Sequence, residues 1–274
     1  MITANNTNGA TLTILEQLAE HARERVAAAK LRLAEADLRR MAESLPKGTQ
    51  RFEQALRRQG LSFICECKKA SPSKGLIAPD FPYLHIAREY EAAGADAVSV
   101  LTEPKWFLGS DEYLREIADA VSLPCLRKDF TVDPYMIYEA KLLGASAVLL
   151  IVSLLDGTEL REYLSICDSL GLSALVEIHD EAEAETAVES GARIIGVNNR
   201  NLKDFSVDTG NSGRLRDRIP RDVLFVSESG VKTAEDVRDI CRIGADAALV
   251  GETLMRAPDI RAKFAELRSG AELY

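Results

Sequence analysis

From Leu61 onward the chain repeats one pattern: a short, mostly apolar run, then a longer segment whose apolar positions return every three or four residues. The short runs predict β-strands near 61–67, 96–101, 124–128, 147–152, 173–178, 193–198, 223–228 and 247–251. The longer segments predict helices at about 79–93, 110–121, 133–143, 157–170, 180–190, 209–218 and 232–243, with a last one near 258–268. Eight strands alternating with helices imply a parallel sheet closed into a (β/α)8 barrel, a TIM barrel of the α/β class. An internal repeat supports the count. Gly94-Ala95-Asp96, Gly144-Ala145-Ser146, Gly191-Ala192-Arg193 and Gly244-Ala245-Asp246 each end a helix and feed a strand, with Gly suited to the left-handed position after a helix. An open doubly wound sheet would usually carry a G-x-G-x-x-G turn after its first strand, and there is none here.

Ahead of the barrel, residues 11–45 read as one long helical segment rich in Ala, Leu, Glu and Arg, with Leu12, Leu15, Leu18 and Ala22 on one side and Pro46-Lys47-Gly48 closing it. A second helix is expected over 50–59, ending at Gly60. Residues 1–60 are thus expected to form an N-terminal helical extension and residues 61–274 the barrel, within one domain overall. The first ten residues are rich in Asn and Thr, with no basic start and apolar run that would read as a signal peptide.

The stretch Leu61–Gly75 changes the picture from scaffold to chemistry. Its apolar start turns abruptly polar, and strand alternation puts Glu66 and Lys68 on one face and Cys65 and Cys67 on the other. The cysteines are therefore expected to pack rather than to bind metal. Ser71-Pro72-Ser73-Lys74-Gly75 follows as a loop with two hydroxyls and an amine, which suits an anionic small molecule. The net charge of −9 and pI of about 5.1 argue against a nucleic-acid or anionic-membrane binder, so an anion must be met by locally placed lysines and backbone N–H groups. Five cysteines without a paired pattern suggest reduced thiols in the cytoplasm. The longest apolar run, Ala147–Leu155 with Ser153 inside it, is too short to cross a bilayer. Three scattered histidines, His21, His85 and His179, offer no metal-ligand spacing, and His179 reads as a loop or helix-start residue.

In a (β/α)8 barrel the active site lies at the C-terminal strand ends. There the sequence collects Glu66 and Lys68, Arg127-Lys128-Asp129-Phe130, Glu177, Asn198-Asn199-Arg200-Asn201, Ser227-Glu228-Ser229-Gly230 and Gly251-Glu252. Barrels often bind phosphate at the loops after the last two strands, where close backbone approach favours glycine, as at Gly230 and Gly251. Beside a phosphate, Glu252 is expected to offer its N–H and turn its carboxylate away.

The blocks Glu66–Gly75, Leu101–Ser110, Arg127–Phe130, Leu175–Asp180, Gly196–Leu202 and Val226–Gly230 resemble, in order, those of the indole-3-glycerol-phosphate synthase family. The resemblance covers the chain from about residue 12. Departures are Cys67 for an aliphatic residue, Met136 for Gln and Ser146 for Asp. It implies closure of the indole ring: 1-(2-carboxyphenylamino)-1-deoxyribulose 5-phosphate cyclises and loses carbon dioxide and water in tryptophan biosynthesis, without a cofactor. Such chemistry needs an acid for the ketone oxygen, a hold on a carboxylate, a proton acceptor and a phosphate anchor. Lys128 is the expected acid, with Lys68 nearby expected to push its pKa down. Lys68 would contact the anions and help hydroxide leave, Glu177 would transfer a proton at the reacting centre, and Glu66 would orient the lysines or accept the last proton. Asn198 and Arg200 would orient substrate, Arg200 through the anthranilate carboxylate. Phe107, Phe130 and Leu149 would clamp the ring. Ser71, Glu228 and Ser229 would line the substrate site, and Gly230, Gly251 and Glu252 the phosphate end. The competing readings are a sugar-phosphate isomerase of the phosphoribosylanthranilate isomerase kind, which would want a Cys and Asp pair, and a barrel that only binds a sugar phosphate. A monomer or weak homo-oligomer acting on a small phosphorylated molecule is expected.

Overall fold

The computed structural model describes residues 12–201 and 204–272. The Asn- and Thr-rich start and Leu202, part of one motif above, lie outside the described residues. Eight parallel strands close into a barrel: β1 (Ser62–Cys67), β2 (Ala97–Leu101), β3 (Cys125–Lys128), β4 (Ala147–Ile151), β5 (Ser173–Ile178), β6 (Ile194–Asn198), β7 (Leu224–Glu228) and β8 (Ala247–Val250). Each pairs with its neighbours in sequence, and β1 closes on β8 with Ile64 opposite Leu249. All eight match the expected segments to within a residue or two, because a strand buried on both faces announces itself as an apolar run.

Alternation along the strands sorts the core into two layers. Ile64, Ala97, Leu126, Leu149, Leu175 and Leu249 fill the barrel interior, while Phe63, Cys65, Cys67, Val98 and Val100 face the surrounding helices. Cys65 and Cys67 are free and buried, as the pattern implied. Gly94, Gly144, Gly191 and Gly244 all have positive φ at the helix ends, so the repeat reflects one backbone requirement met four times.

The extension departs from its expected form. Instead of one helix over 11–45 there are two, α1 (Ile14–Arg32) and α2 (Glu35–Ser44), with Leu33 extended between them. The break has a tertiary cause: α1 lies across the barrel mouth, and the chain turns at Leu33 so that α2 can run down beside α6 (Pro134–Leu142). The Leu33 carbonyl accepts a hydrogen bond from the Tyr135 hydroxyl at 3.2 Å, and Lys30 Nζ reaches Glu35 and Asp133, each at 2.8 Å. A capping box between Thr13 and Glu16 starts α1, and its buried face, Leu18 and Ala22, joins the interior core. Helix α3 (Arg51–Leu56) closes the opposite end: Phe52 and Leu56 are buried in the same core, and the Glu53 N–H donates to Ser173 Oγ at the start of β5. The extension therefore touches both ends of the barrel.

Helices α4 (Tyr83–Ala93), α5 (Asp111–Ala120), α7 (Gly157–Leu170), α8 (Glu181–Glu189), α9 (Gly210–Arg216) and α10 (Ala234–Arg242) complete the ring with α6. After β8 a short helix, α11 (Glu252–Met255), precedes α12 (Ile260–Ser269); the sequence pattern gave no sign of α11. Among the described residues, no helix is long and apolar enough to cross a membrane.

Candidate active site

The mouth opens onto a cavity of about 740 Å³ lined by the C-terminal strand ends and by Ile14 and Leu18 of α1. All fifteen residues given a role in substrate binding or catalysis from the sequence line it. Five charged side chains form its floor. Lys68 Nζ lies 2.6 Å from Glu66 Oε1, and Lys128 Nζ lies 3.0 Å from Glu177 Oε2 and 3.6 Å from Glu228 Oε2. Strand register explains the grouping: Glu177 sits beside Gly196, and Asn198 beside Glu228. The absence of a side chain at Gly196 makes room for Glu228, since a Cβ there would lie 2.0 Å from Glu228 Oε1.

Three carboxylates and two ammonium groups in a buried space cannot all be equally ionised. Burial disfavours the charged form of Lys128, but Glu177, Glu228 and Glu66 outweigh it and raise its pKa. The expected depression by Lys68 is therefore overturned: Lys68 is committed to Glu66, and the charges facing Lys128 are carboxylates. Burial works against ionising Glu177 too, yet Lys128, His179 and Asn198 hold its pKa below the ordinary value. Glu228 takes the opposite course. Burial, with Glu177 and Glu66 as like charges, pushes it up to about 8 despite Lys128. One carboxyl group of the three thus keeps its proton at neutral pH.

Hydrogen bonds fix the rest of the constellation. Asn198 Nδ2 donates to Glu177 Oε1 at 3.1 Å, while Asn198 Oδ1 accepts from Ser229 Oγ at 2.9 Å and from the Arg200 N–H at 3.0 Å. Ser229 has φ of +68° and Gly230 +100°, a left-handed pair that turns the chain sharply after β7. Asn199, whose Nδ2 donates to the Ser229 carbonyl and to Ser227 Oγ, braces that turn. A Cβ at Gly251 would lie 2.5 Å from Glu66 Oε1 and 3.1 Å from Lys68 Nζ, so this glycine makes room for the first ion pair as well as ending β8. On the apolar side the Phe107 and Phe130 rings stand 6.0 Å apart beside Ile14 and Leu149.

Several residues behave differently from the sequence expectation. The Glu252 carboxylate gathers three cations: Arg256 holds it at 3.1 Å, with Lys74 at 3.7 Å and Arg200 at 4.0 Å. Three loops carry those cations, so only the fold could reveal their convergence. Arg200 also donates to the Phe205 carbonyl. Of the Arg127–Phe130 motif, Arg127 points out into the helix layer, to Asp111 and Glu139 at 2.7 Å. Asp129 takes a bidentate bond from Arg25 of α1 and another from Thr102 Oγ1. That pair and His21–Glu103 at 3.1 Å fasten α1 over the mouth. His179 stands at the helix start as expected, but its ring packs against the site, with Nε2 3.5 Å from Glu177 Oε1.

Fold and site together define an enzyme of the (β/α)8 barrel class with paired acids and bases at its mouth. The sequence model of the indole-3-glycerol phosphate synthase family matches residues 15–267. Curated relatives of that name include one from Ruminiclostridium cellulolyticum, 61% identical over 80% of this chain and 85% of the relative, and one from Lachnoclostridium phytofermentans, 46% identical over 93% and 99%. The chain belongs to the indole-3-glycerol phosphate synthase family. It is accordingly a carboxy-lyase of tryptophan biosynthesis acting on a small phosphorylated substrate. Among solved structures, a 3-hexulose-6-phosphate synthase (TM-score 0.61, 16% identity, 77% of this chain and 100% of that one) and a thiamine phosphate pyrophosphorylase from Pyrococcus furiosus (TM-score 0.60, 17%, 81% and 98%) share the barrel.

Proposed function

We propose that Lys128 is the general acid of ring closure. The aromatic carbon bearing the carboxylate attacks the ketone carbon, and Lys128 protonates the oxygen as it becomes an alkoxide. Its raised pKa keeps it charged across the physiological range, and a developing alkoxide is basic enough to take a proton from an ammonium group. Loss of carbon dioxide then restores the aromatic ring, helped by the apolar wall of Phe107, Phe130 and Leu149 around the carboxylate. Lys68, oriented by Glu66, gives the proton with which hydroxide leaves as water. Glu177 accepts the proton released from the substrate carbon in that last step, its ionised form secured by Lys128 and Asn198. The observation that carries this reading is the cross-mouth pair of Lys128 and Glu177 at 3.0 Å, an acid and a base on facing strands above an apolar clamp.

In the same reading Asn198 and Arg200 orient the substrate, with Ser71 and Ser229 beside it. The turn Ser229-Gly230 and the Gly251-Glu252 backbone anchor the phosphate. Glu252 serves there with its N–H, while its carboxylate gathers Lys74, Arg200 and Arg256. Glu228 contributes a protonated carboxyl. The extension, residues 1–60, and the barrel, 61–274, act as one folded unit, supported by Leu18, Phe52 and Leu56 in the barrel's own core. A cytoplasmic monomer or weak homo-oligomer with no nucleic-acid partner fits the free cysteines and the acidic composition.

Comparing Lys128→Met with Lys68→Met tests the assignment. A positioned acid contributes about 10²–10⁴-fold, so turnover of Lys128→Met should fall at least that far while a product-like ligand held by its phosphate binds with modest loss. Near-normal turnover in Lys128→Met, with Lys68→Met inactive, would transfer the acid role to Lys68.

A further inference from the structure

The balance of the reaction leaves the ionisable cluster of the mouth one proton short at the end of each turnover. An ionised carboxylate leaves as neutral carbon dioxide, so although two protons go to the departing oxygen and one comes back from carbon, each turnover consumes one proton from outside. A group beside the cluster that holds a proton would make good that deficit within the turnover.

His179 is placed to do so. It follows β5 two residues after Glu177, and its backbone N–H and Nδ1 both meet the Glu183 carboxylate of α8, at 2.7 and 3.1 Å. An ionised carboxylate accepts only, so Nδ1 carries a hydrogen and Nε2 is the atom left to gain or lose one. Asn211 of α9 fixes the His179 carbonyl at 3.1 Å. Nε2 is buried, has no hydrogen-bond partner and lies 3.5 Å from Glu177 Oε1, so that a small tilt of the ring closes a hydrogen bond. Glu228 Oε1, also in the mouth, is another buried polar atom without a hydrogen-bond partner. With imidazole and carboxylate facing each other, two arrangements are stable: imidazolium with carboxylate, or imidazole with carboxylic acid. Both hold one proton between the two side chains.

We propose that His179 is the proton store of the mouth: its imidazolium gives the Nε2 proton to Glu177 Oε1 during turnover and is recharged from solvent when the mouth opens for product release. Glu177, whose other oxygen lies 3.0 Å from Lys128 Nζ, turns its carboxyl and passes that proton to Lys128 after ring closure. Ionised again, it takes the proton released from carbon, which returns to Lys68 through water as product leaves, so that the one proton entering from solvent at His179 completes the turnover. His179 is a positioning and relay residue that does not touch substrate, and its role rests on the reading of Lys128 and Glu177 above. The acidic groups facing the ring are Glu177 on its own strand end, Glu183 from α8 and Glu228 from β7; burial opposes its protonation, and the hydrogen bond to Glu183 with the charges of Glu177 and Glu183 overcomes it, so that its pKa is raised. The store therefore stays filled to higher pH than an ordinary imidazole would and empties as pH rises through that raised value.

The test uses His179→Gln, which keeps volume and a donor without a titratable proton, and His179→Ala, which leaves a space. Turnover of both should fall about tenfold at pH 6–7, less than the 10²–10⁴ of a direct acid because water still reaches the mouth. The deficit should shrink as pH rises through the titration of the wild-type imidazole, and added imidazole should restore His179→Ala. In nitrogen-detected NMR of the wild type, one of the three histidines should titrate above the ordinary range and shift down in Glu177→Gln. Wild-type turnover in His179→Gln, a deficit that does not change with pH, or a histidine that ignores Glu177→Gln would each overturn the proposal. If instead Glu177→Gln itself kept full turnover, the reading of Glu177 would fail first; an inactive Glu177→Gln beside an unaltered His179→Gln would remove the store alone.

Discussion

Replacing Glu228 by Gln should make the protein more stable at pH 8 than the wild type, relative to their difference at pH 5. In the folded chain this carboxyl is buried, faces Glu177 and Glu66, and has its pKa pushed up to about 8; in the unfolded chain it ionises with an ordinary value near 4.5. Between those values the folded state binds more protons than the unfolded state, so stability falls as pH rises through the window. Each pH unit corresponds to about 1.4 kcal/mol, which from pH 5 to pH 8 sums to at most about 4 kcal/mol. Glu177 adds no slope there, because its lowered pKa leaves it ionised in both states. His179, with a raised pKa, contributes a slope of the same sign as Glu228, and most of it persists in the variant and cancels, because Glu183 and Glu177 supply the larger part of that shift. Gln keeps the shape and cannot ionise. Thermal unfolding at pH 5, 6, 7 and 8 reads the effect: at about 2–4 °C per kcal/mol for a chain of this size, the gap should move by roughly 10 °C in favour of Glu228→Gln. A gap that stays constant from pH 5 to 8 would show that Glu228 ionises as an ordinary carboxylate and would refute the account of how the mouth distributes its charge.

Two further substitutions probe the supports of the site. Gly251→Ala should lower turnover as well as phosphate-dependent binding, because its Cβ would press on Glu66 and Lys68; a loss confined to phosphate affinity, seen by comparing phosphorylated and phosphate-free ligands, would show that the glycine serves the anchor alone. Arg25→Ala leaves the buried Asp129 carboxylate without its bidentate partner, which should cost about 3–5 kcal/mol in urea unfolding and raise KM by loosening α1 over the mouth. Unchanged KM in a folded Arg25→Ala would show that α1 is packing without a role in substrate binding.

The barrel was legible because each strand is buried on both faces and each helix on one, so the chain carries two clean periods. The mouth was legible because Glu66, Lys68, Lys128, Glu177 and Glu228 interrupt apolar strands at their ends, where the apolar pattern of the barrel interior breaks off. Three features were not. The break at Leu33 has no Pro or Gly to mark it; it is imposed by the docking of α2 on α6 and by Tyr135. The electrostatics of Lys128 depend on which strands are neighbours: residues 68 and 128 look like two adjacent ammonium groups in a list, but each faces a different carboxylate in space. His179 sits where a helix-start residue belongs, and only the direction of its ring makes it part of the site.

The central claim is that this mouth closes an indole ring with its own side chains. Incubating the protein with 1-(2-carboxyphenylamino)-1-deoxyribulose 5-phosphate, while following indole fluorescence and proton uptake together, tests it most directly. The account predicts rising fluorescence with one proton consumed per product, and loss of both signals in Lys128→Met. A protein that binds the compound without forming the indole, or forms it equally well without Lys128, would contradict it.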